Sequence, residues 1–403
     1  MARWQMADSP ARASYDVVII GGAIMGSSVA WWLTQLGFDG SVLVVERDPS
    51  YEKSATALTN SCIRQQFTTE LNVRISQFTA EFLRTLPYWV GDDRVPEIPI
   101  WNFGYLYLAD TEAKADALQA AAEVQHAAGA ETRLMTRDEI AAAWPFYALD
   151  DIVLGSINTR DEGYWDGGAL FEFFRRSARA RGVEYVAGEV SGLTMEAGRV
   201  TGVTLAAGQT IGCGHVVNAS GTRGAQTARM AGIDLPVEPR KRFSWVFKAE
   251  KPLDRDLPLT IDPSGVHVRQ DGPQTYLAGC KPDPDTAVKP DDFAMDPDIW
   301  QDHVWPALAA RIPQFEALRV IAEWAGHYDY NTLDQNAIVG PHPEVDNFLF
   351  LNGFSGHGLQ QSPAMGRGTA ECLMHGAFRS LDLSPFRFDR IPAGTPYLET
   401  AVI

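Results

Sequence analysis

Three stretches of this chain carry residue types and spacings that do chemistry. The first is Gly21-Gly22-Ala23-Ile24-Met25-Gly26. Against the pattern GxGxxG, Gly21 and Gly26 fill the outer glycine positions and Ala23 the middle one. The first glycine makes the tight turn from strand to helix, the third lets the helix pack closely on the strand, and a small residue between them lets backbone approach a pyrophosphate. A helix opening here offers unpaired N–H groups and a positive dipole to phosphates. About 20 residues on, Glu46 ends a second apolar run and is placed to bind the hydroxyls of an adenosine ribose. Arg47 beside it could suggest a 2′-phosphate, but the acid argues against NADP. All six residues from Gly21 to Gly26, with Glu46 and Arg47, are candidate contacts to a dinucleotide.

The second stretch, residues 210–221, is an apolar run ending in Asn218-Ala219-Ser220-Gly221. Small residues at a strand end let a ligand or a neighbouring backbone pass closely. The third is Asn352-Gly353-Phe354-Ser355-Gly356-His357-Gly358-Leu359-Gln360-Gln361. Its three glycines allow backbone to lie against a flat ring. The helix that follows aims its positive end at the loop, where it would stabilise negative charge on a reduced ring.

The elements that must position these residues follow from periodicity. Residues 15–20 form a short run rich in β-branched side chains, the mark of a buried parallel strand. Residues 27–36 read as a helix and 41–45 as a second strand, so a β–turn–α–β unit opens a doubly wound α/β fold. Helices are expected at 111–130, 171–181, 300–311 and 363–375. Short strands are expected at 183–187, 188–195, 200–205, 215–218, 243–248, 265–268, 275–278 and 347–351. Residues 282–298, rich in Pro and Asp, read as loop. A strand, glycine loop and helix thus recur near both ends. The expected organisation is a discontinuous Rossmann-like nucleotide-binding domain from 15–90, 151–225 and 325–390, and a mixed-sheet substrate domain from 91–150 and 226–324. A disordered tail is expected at 1–14 and a C-terminal tail at 391–403.

The formal net charge of −17, from 51 acidic and 34 basic residues, disfavours nucleic acid and anionic lipid as partners. The four cysteines, Cys62, Cys213, Cys280 and Cys372, are scattered without a CxxC, which suggests neither a zinc site nor a disulfide framework. They fit a reducing compartment, and a cytoplasmic location is the expectation. No apolar run approaches the ~20 residues of a membrane span.

The three motifs together resemble the D-amino-acid oxidase-like FAD-dependent oxidoreductases, most closely the sarcosine oxidase and dimethylglycine dehydrogenase branch, over residues 15–390. The resemblance implies a FAD-binding domain and a substrate domain with a mixed sheet over the flavin. It implies FAD contacts from Ala219, Ser220 and Gly221, from Val190, where that family touches adenine through a backbone group, and from Gly353, Phe354, Ser355, Gly356, His357, Gly358, Leu359 and Gln360. Residues 59–66 place Arg64 where the family has an Arg for the substrate carboxylate, and a guanidinium fork suits that task. A surface role, or a grip on FAD phosphate, stays open for it.

Two departures matter. His327 stands about where those enzymes attach FAD through a Cys, so noncovalent FAD is expected. Gln360 replaces the family's carboxylate-binding Lys, bringing a hydrogen bond but no charge. Residues 359–361 are also similar to another branch, which includes a mitochondrial FAD protein linked to respiratory complex I assembly.

The implied activity is oxidation of the C–N bond of a small secondary or tertiary amine or N-substituted amino acid, with hydride transfer to flavin N5 and hydrolysis of the imine. Arg64, His327, His357 and Gln360 are the candidates around the reacting atoms. The alternatives are a 2-hydroxy-acid dehydrogenase, with His327 or His357 as base, and a non-catalytic FAD-bound assembly protein. Tyr105, Tyr107, Tyr276 and Tyr328 are candidate pocket aromatics, with ordinary core as the other reading. Lys281 follows a strand expected to face the flavin and could help activate oxygen or bind a carboxylate, with a surface residue as the other reading.

Overall fold

The computed structural model describes residues 6–91, Val95 and 97–402. Two eight-stranded sheets organise them. In the first, Ser14–Ile20 lies at the centre, parallel to both Thr210–Asn218 and Val42–Glu46. Glu184–Ala187 continues the parallel set beyond Val42–Glu46, and Phe348–Asn352 continues it beyond Thr210–Asn218. Ile338–Pro341 closes one edge antiparallel, and the hairpin Val190–Glu196 and Arg199–Leu205 folds back on Thr210–Asn218. Ile20 is in register with both Val45 and Asn218. The glycine turn, Glu46 and Ala219 are therefore brought to one edge of the sheet, where parallel strands end and ligands collect.

The second sheet runs Leu318–Asn331, Val237–Ala249, Thr275–Cys280, His267–Gly272, Leu259–Ile261, Tyr105–Ala109, Leu154–Asn158 and Arg133–Met135. Its backbone is the long antiparallel pair formed by Val237–Ala249 and Leu318–Asn331. Each sheet has its own core. Trp31, Trp32, Phe82 and Phe174 pack under the first, and Trp245, Phe247, Tyr276 and Phe315 on the second.

Several expectations shift. The first helix is Ile24–Gln35, starting directly from the glycine turn. The helix expected from residue 363 is Gly358–His375 and contains Pro363. Proline leaves the carbonyl four residues back without its usual donor. That carbonyl, of Leu359, instead accepts from the Ser362 hydroxyl at 2.9 Å. Strand Leu154–Asn158 belongs to the second sheet rather than with the nucleotide-binding segments, and the strand that starts at Leu318 stays in that sheet through Asn331, past the expected boundary at 325.

The tails also differ from expectation. Ala7 pairs with Val186 and Ser14 is in the central strand, so the 1–14 segment is tied down where it is described; residues 1–5 lie outside the described residues. Residues 391–402 are tied to the turn after Leu318–Asn331: Tyr397 N donates to Asp334 Oδ2 at 3.0 Å, and Glu399 N to the Asp334 carbonyl at 3.0 Å. The anchor is a buried ion pair, Arg390 Nε to Asp334 Oδ2 at 2.6 Å. Such a pair survives burial only with its remaining groups bonded, and Arg390 also donates to the Asn336 and Ala337 carbonyls. Among the described residues no helix is long and apolar enough to cross a membrane.

Candidate active site

A long cleft runs from the ends of the parallel strands to the face of the second sheet. At its first end Gly21 has φ +100°, and a side chain there would collide with the Ala219 carbonyl. Only glycine fits such a turn without strain. A side chain on Gly26 would strike the Gly21 carbonyl, so this glycine sets the closeness of helix and strand. Ala23 caps the helix without a side-chain hydrogen bond, and no acidic residue sits in the first turn. The helix end is thus left for an anion from outside. Glu46 accepts from Gly22 N at 2.8 Å and from Asp48 N at 2.7 Å, and burial pushes its carboxyl above the usual range. Tyr51, which the sequence did not flag, puts a buried hydroxyl without a partner beside Gly22.

Of the residues expected to touch a dinucleotide, Gly21, Ala23, Ile24, Met25, Glu46, Arg47, Val190, Ala219, Ser220 and Gly221 line this part of the cleft, while Gly22 and Gly26 sit behind its wall. Arg47 makes a 3.5 Å ion pair with Asp291.

At the other end the 353–358 loop is pinned from below. Asp329 Oδ2 accepts from Gly353 N at 2.8 Å and Phe354 N at 3.2 Å, and Ser355 Oγ accepts from Asn331 N at 3.0 Å. Burial raises the Asp329 carboxyl to about 6 against the pull of those N–H groups. Gly356, at φ +95°, lies against the Tyr328 ring where no side chain fits. The Gly358–His375 helix begins at His357 without a side-chain cap, so a second positive helix end opens on the cleft. Phe354, Ser355, Gly356, His357, Gly358, Leu359 and Gln360 line it; Gly353 is turned away toward Val237 and Asn331.

Arg64 is on the cleft wall and only 2 % exposed. Its guanidinium lies 4.0 Å from the centre of the Phe67 ring. Its Nη2 meets His357 Nε2 at 3.0 Å, and further hydrogen bonds run to the Gln66 and Ala401 carbonyls. Burial, with the Arg64 charge added, holds His357 well below its usual pKa, so the ring is neutral and accepts at Nε2. Gln360 faces the same place, but its Oε1 accepts from Arg64 N at 2.8 Å, so the amide oxygen fixes the Arg64 backbone. The structure therefore brings Arg64, His357 and Gln360 into one network.

His327 is on the cleft wall but apart from that network. Its Nε2 meets the Asp292 carbonyl at 2.8 Å, and its ring stacks on Phe293 with centres 4.3 Å apart. Of the candidate aromatics, Tyr105 and Tyr328 line the cleft, whereas Tyr276 packs in the core against Phe247 and Phe315. Lys281 is exposed.

Sequence reasoning missed a second polar cluster on the wall: His267 Nε2 to Asn60 Nδ2 at 2.9 Å, and Ser244 Oγ to Asn60 Oδ1 at 3.3 Å. Burial first, then Arg269 and Arg242, lowers His267 to about 4. His267 and Ser244 are on expected strands, but no local motif marks them. Among the described residues no group of three or more His, Cys, Asp or Glu could hold a metal ion.

The cleft suits a dinucleotide joined to a flat ring. Two uncapped helix ends open on it, a half-buried carboxylate stands beside the first glycine turn, and a glycine loop backs the far end. The comparisons agree. A family model described as FAD dependent oxidoreductase matches residues 16–372. The chain is 39% identical to FAD-dependent oxidoreductase domain-containing protein 1 of Xenopus laevis, over 98% of this chain and 85% of that protein. It is 26% identical to sarcosine oxidase subunit beta of Rhizobium meliloti, over 97% and 91%. The crystal structure of L-proline dehydrogenase from P. horikoshii superposes with a TM-score of 0.82 at 26% identity, covering 94% of this chain and 98% of that one. The chain belongs to the FAD dependent oxidoreductase family, as an enzyme with FAD as its cofactor and amino-acid and sarcosine oxidases among its relatives.

Proposed function

We propose that this enzyme oxidises the C–N bond of a small secondary or tertiary amine that carries a carboxylate, an N-substituted amino acid. The observation that carries the reading is Arg64, a buried cation on the cleft wall beside the 353–358 loop. Gln66, Ala401 and His357 engage three of its five N–H groups and the Tyr107 ring lies beside it, so a ligand's carboxylate would take up what donor capacity remains. Bound FAD would supply the two-electron acceptor, taking a hydride equivalent at N5 from the carbon next to nitrogen, and the imine would hydrolyse in water.

The chain's own residues orient and polarise. Arg64 would hold the carboxylate, with His357 and Gln360 fixing the guanidinium and the main chain behind it. The Arg64 charge beside a bound amine would also disfavour its protonated form, so the reactive neutral form is favoured without a strong base. Tyr105 and Tyr328 would wall the alkyl part. The residues assigned to FAD are those of the glycine turn, Glu46, Arg47, Val190, 219–221 and 353–360. The FAD would be noncovalent, since His327 is held against the Asp292 carbonyl.

By their names, the sarcosine oxidase subunit and the L-proline dehydrogenase act on secondary amino acids, which supports the same substrate class here. A hydroxy-acid reading needs a free base at the substrate carbon. His357 Nε2 already accepts from Arg64, and His327 stacks on Phe293 apart from the Arg64 network; no observation favours that reading, nor that of an assembly protein. Turnover with an N-methyl amino acid should release formaldehyde and the demethylated amine. If no N-methyl or cyclic amino acid gives product with any electron acceptor, the proposal fails.

A further inference from the structure

The 397–402 segment makes contacts that a surface tail has no reason to make. Glu399 is fully buried, and its carboxylate gathers donors from the start of the Glu70–Arg84 helix, some 330 residues away in sequence. Thr68 N and Oγ1 donate at 3.0 and 2.7 Å, Thr69 N and Oγ1 at 3.2 and 2.9 Å, and Asn72 Nδ2 at 3.1 Å. The helix has no side-chain cap of its own. Glu399 supplies one from a distant part of the chain, an anion at a positive helix end. Burial works against its charge, but the hydrogen bonds from Thr68 and Ala401 prevail and hold the carboxyl below its usual range.

Two residues on, the same segment reaches the cleft. Ala401 N donates to Glu399 Oε1 at 2.9 Å, and the Ala401 carbonyl accepts from Arg64 Nη2. Thr400 N reaches Thr68 Oγ1 at 3.2 Å. The Ala401 carbonyl is one of three protein acceptors that fix the Arg64 guanidinium against Phe67, and its position is set by the Glu399 clamp. The Gln66 carbonyl is held separately, because Glu162 accepts from Gln65 N at 2.6 Å and Gln66 N at 3.1 Å.

We propose that Glu399 is a positioning residue for substrate-carboxylate recognition: by docking the 397–402 segment on Thr68, Thr69 and Asn72 it sets the Ala401 carbonyl that aims the remaining N–H groups of Arg64 into the cleft. The proposal rests on the reading of Arg64 as the carboxylate site. It gives this chain a specificity element outside the three nucleotide-binding motifs.

The test uses the FAD-loaded enzyme and three carboxylates that cannot be oxidised by hydride loss, acetate, 2-furoate and benzoate, each titrated while the flavin absorbance is followed. Benzamide is the uncharged control. Glu399→Gln should weaken carboxylate binding by about tenfold, the scale of a hydrogen bond to a charged group, with benzamide binding and flavin content unchanged. Glu399→Asp should restore part of the loss. Thr68→Val removes three hydroxyl contacts, to Glu399 and to the N–H and hydroxyl of Thr400, at nearly constant shape and should move carboxylate binding the same way, which covers the case that Glu399→Gln does not fold. Arg64→Gln should lose carboxylate binding in every case. If Arg64→Gln loses it while Glu399→Gln and Thr68→Val bind as the parent does, the Glu399 role is overturned and the Arg64 reading stands. If Arg64→Gln binds like the parent, or no carboxylate perturbs the flavin of the parent, the Arg64 reading falls and takes this inference with it.

Discussion

At the scale of single residues, the account turns on Arg64. A guanidinium that is 2 % exposed, stacked on Phe67 and bonded to two carbonyls and a neutral histidine is already oriented. A lysine would bring the charge without the planar fork. We therefore expect Arg64→Lys to lower kcat/KM for a carboxylate-bearing amine by roughly a hundredfold, mostly through KM, the pattern of lost uniform binding. A fall in kcat at unchanged KM, read from steady-state kinetics, would place Arg64 on the reacting atoms instead. Gln360 shows how far a sequence goes at this scale. Its position by the loop was legible, but its amide oxygen turned out to bond Arg64 N, 296 residues away. No local pattern encodes a contact of that separation. The same holds for the Asn60 and His267 pair, 207 residues apart.

At the scale of elements, the glycine turn is the most exacting. Gly21→Ala must force a side chain into the Ala219 carbonyl at a backbone angle of φ +100°. The expected result is a protein purified with little or no FAD and a lower melting temperature; a yellow, fully loaded Gly21→Ala protein would show that this turn does not set the phosphate site. This unit was readable because everything that defines it is local: a buried strand, a turn only glycine can make, a helix, and an acid at the next strand end. The 210–221 and 352–361 stretches were readable for the same reason. The pairing of the second sheet was not, because its order joins strands far apart in sequence, such as Leu259–Ile261 beside Tyr105–Ala109. The C-terminal segment was hidden likewise. Glu399 looks like an ordinary polar residue near a chain end until the fold brings the uncapped helix at Thr69 to it.

At the scale of the whole molecule, buried titratable groups couple the cleft to pH. His267 has its pKa lowered to about 4, mainly by burial. Its unfolded counterpart titrates near ~6.5. Between those values the unfolded chain takes up a proton that the folded one refuses. The contribution of a neutral His267 is thus fully present above pH ~6.5 and lost as pH falls toward 4, by about 3 kcal/mol in all. Urea unfolding of the parent and of His267→Gln across that range should give a stability difference that changes with pH by this amount; a difference independent of pH would contradict the assignment. Asp329, raised to about 6, acts in the opposite sense, so only the difference between the two proteins isolates His267. Acid precipitation offers a further check. The flavin should appear in the supernatant, as a noncovalent cofactor requires, whereas flavin retained in the pellet would point to a bond from the chain.

The central claim, that this FAD enzyme takes two electrons from an amine bearing a carboxylate, meets its most direct test in anaerobic mixing with sarcosine, dimethylglycine and L-proline while the flavin band is recorded. Loss of the band with at least one of them, and its persistence with lactate, is the predicted result. A flavin that every amine leaves oxidised and lactate reduces would contradict the claim.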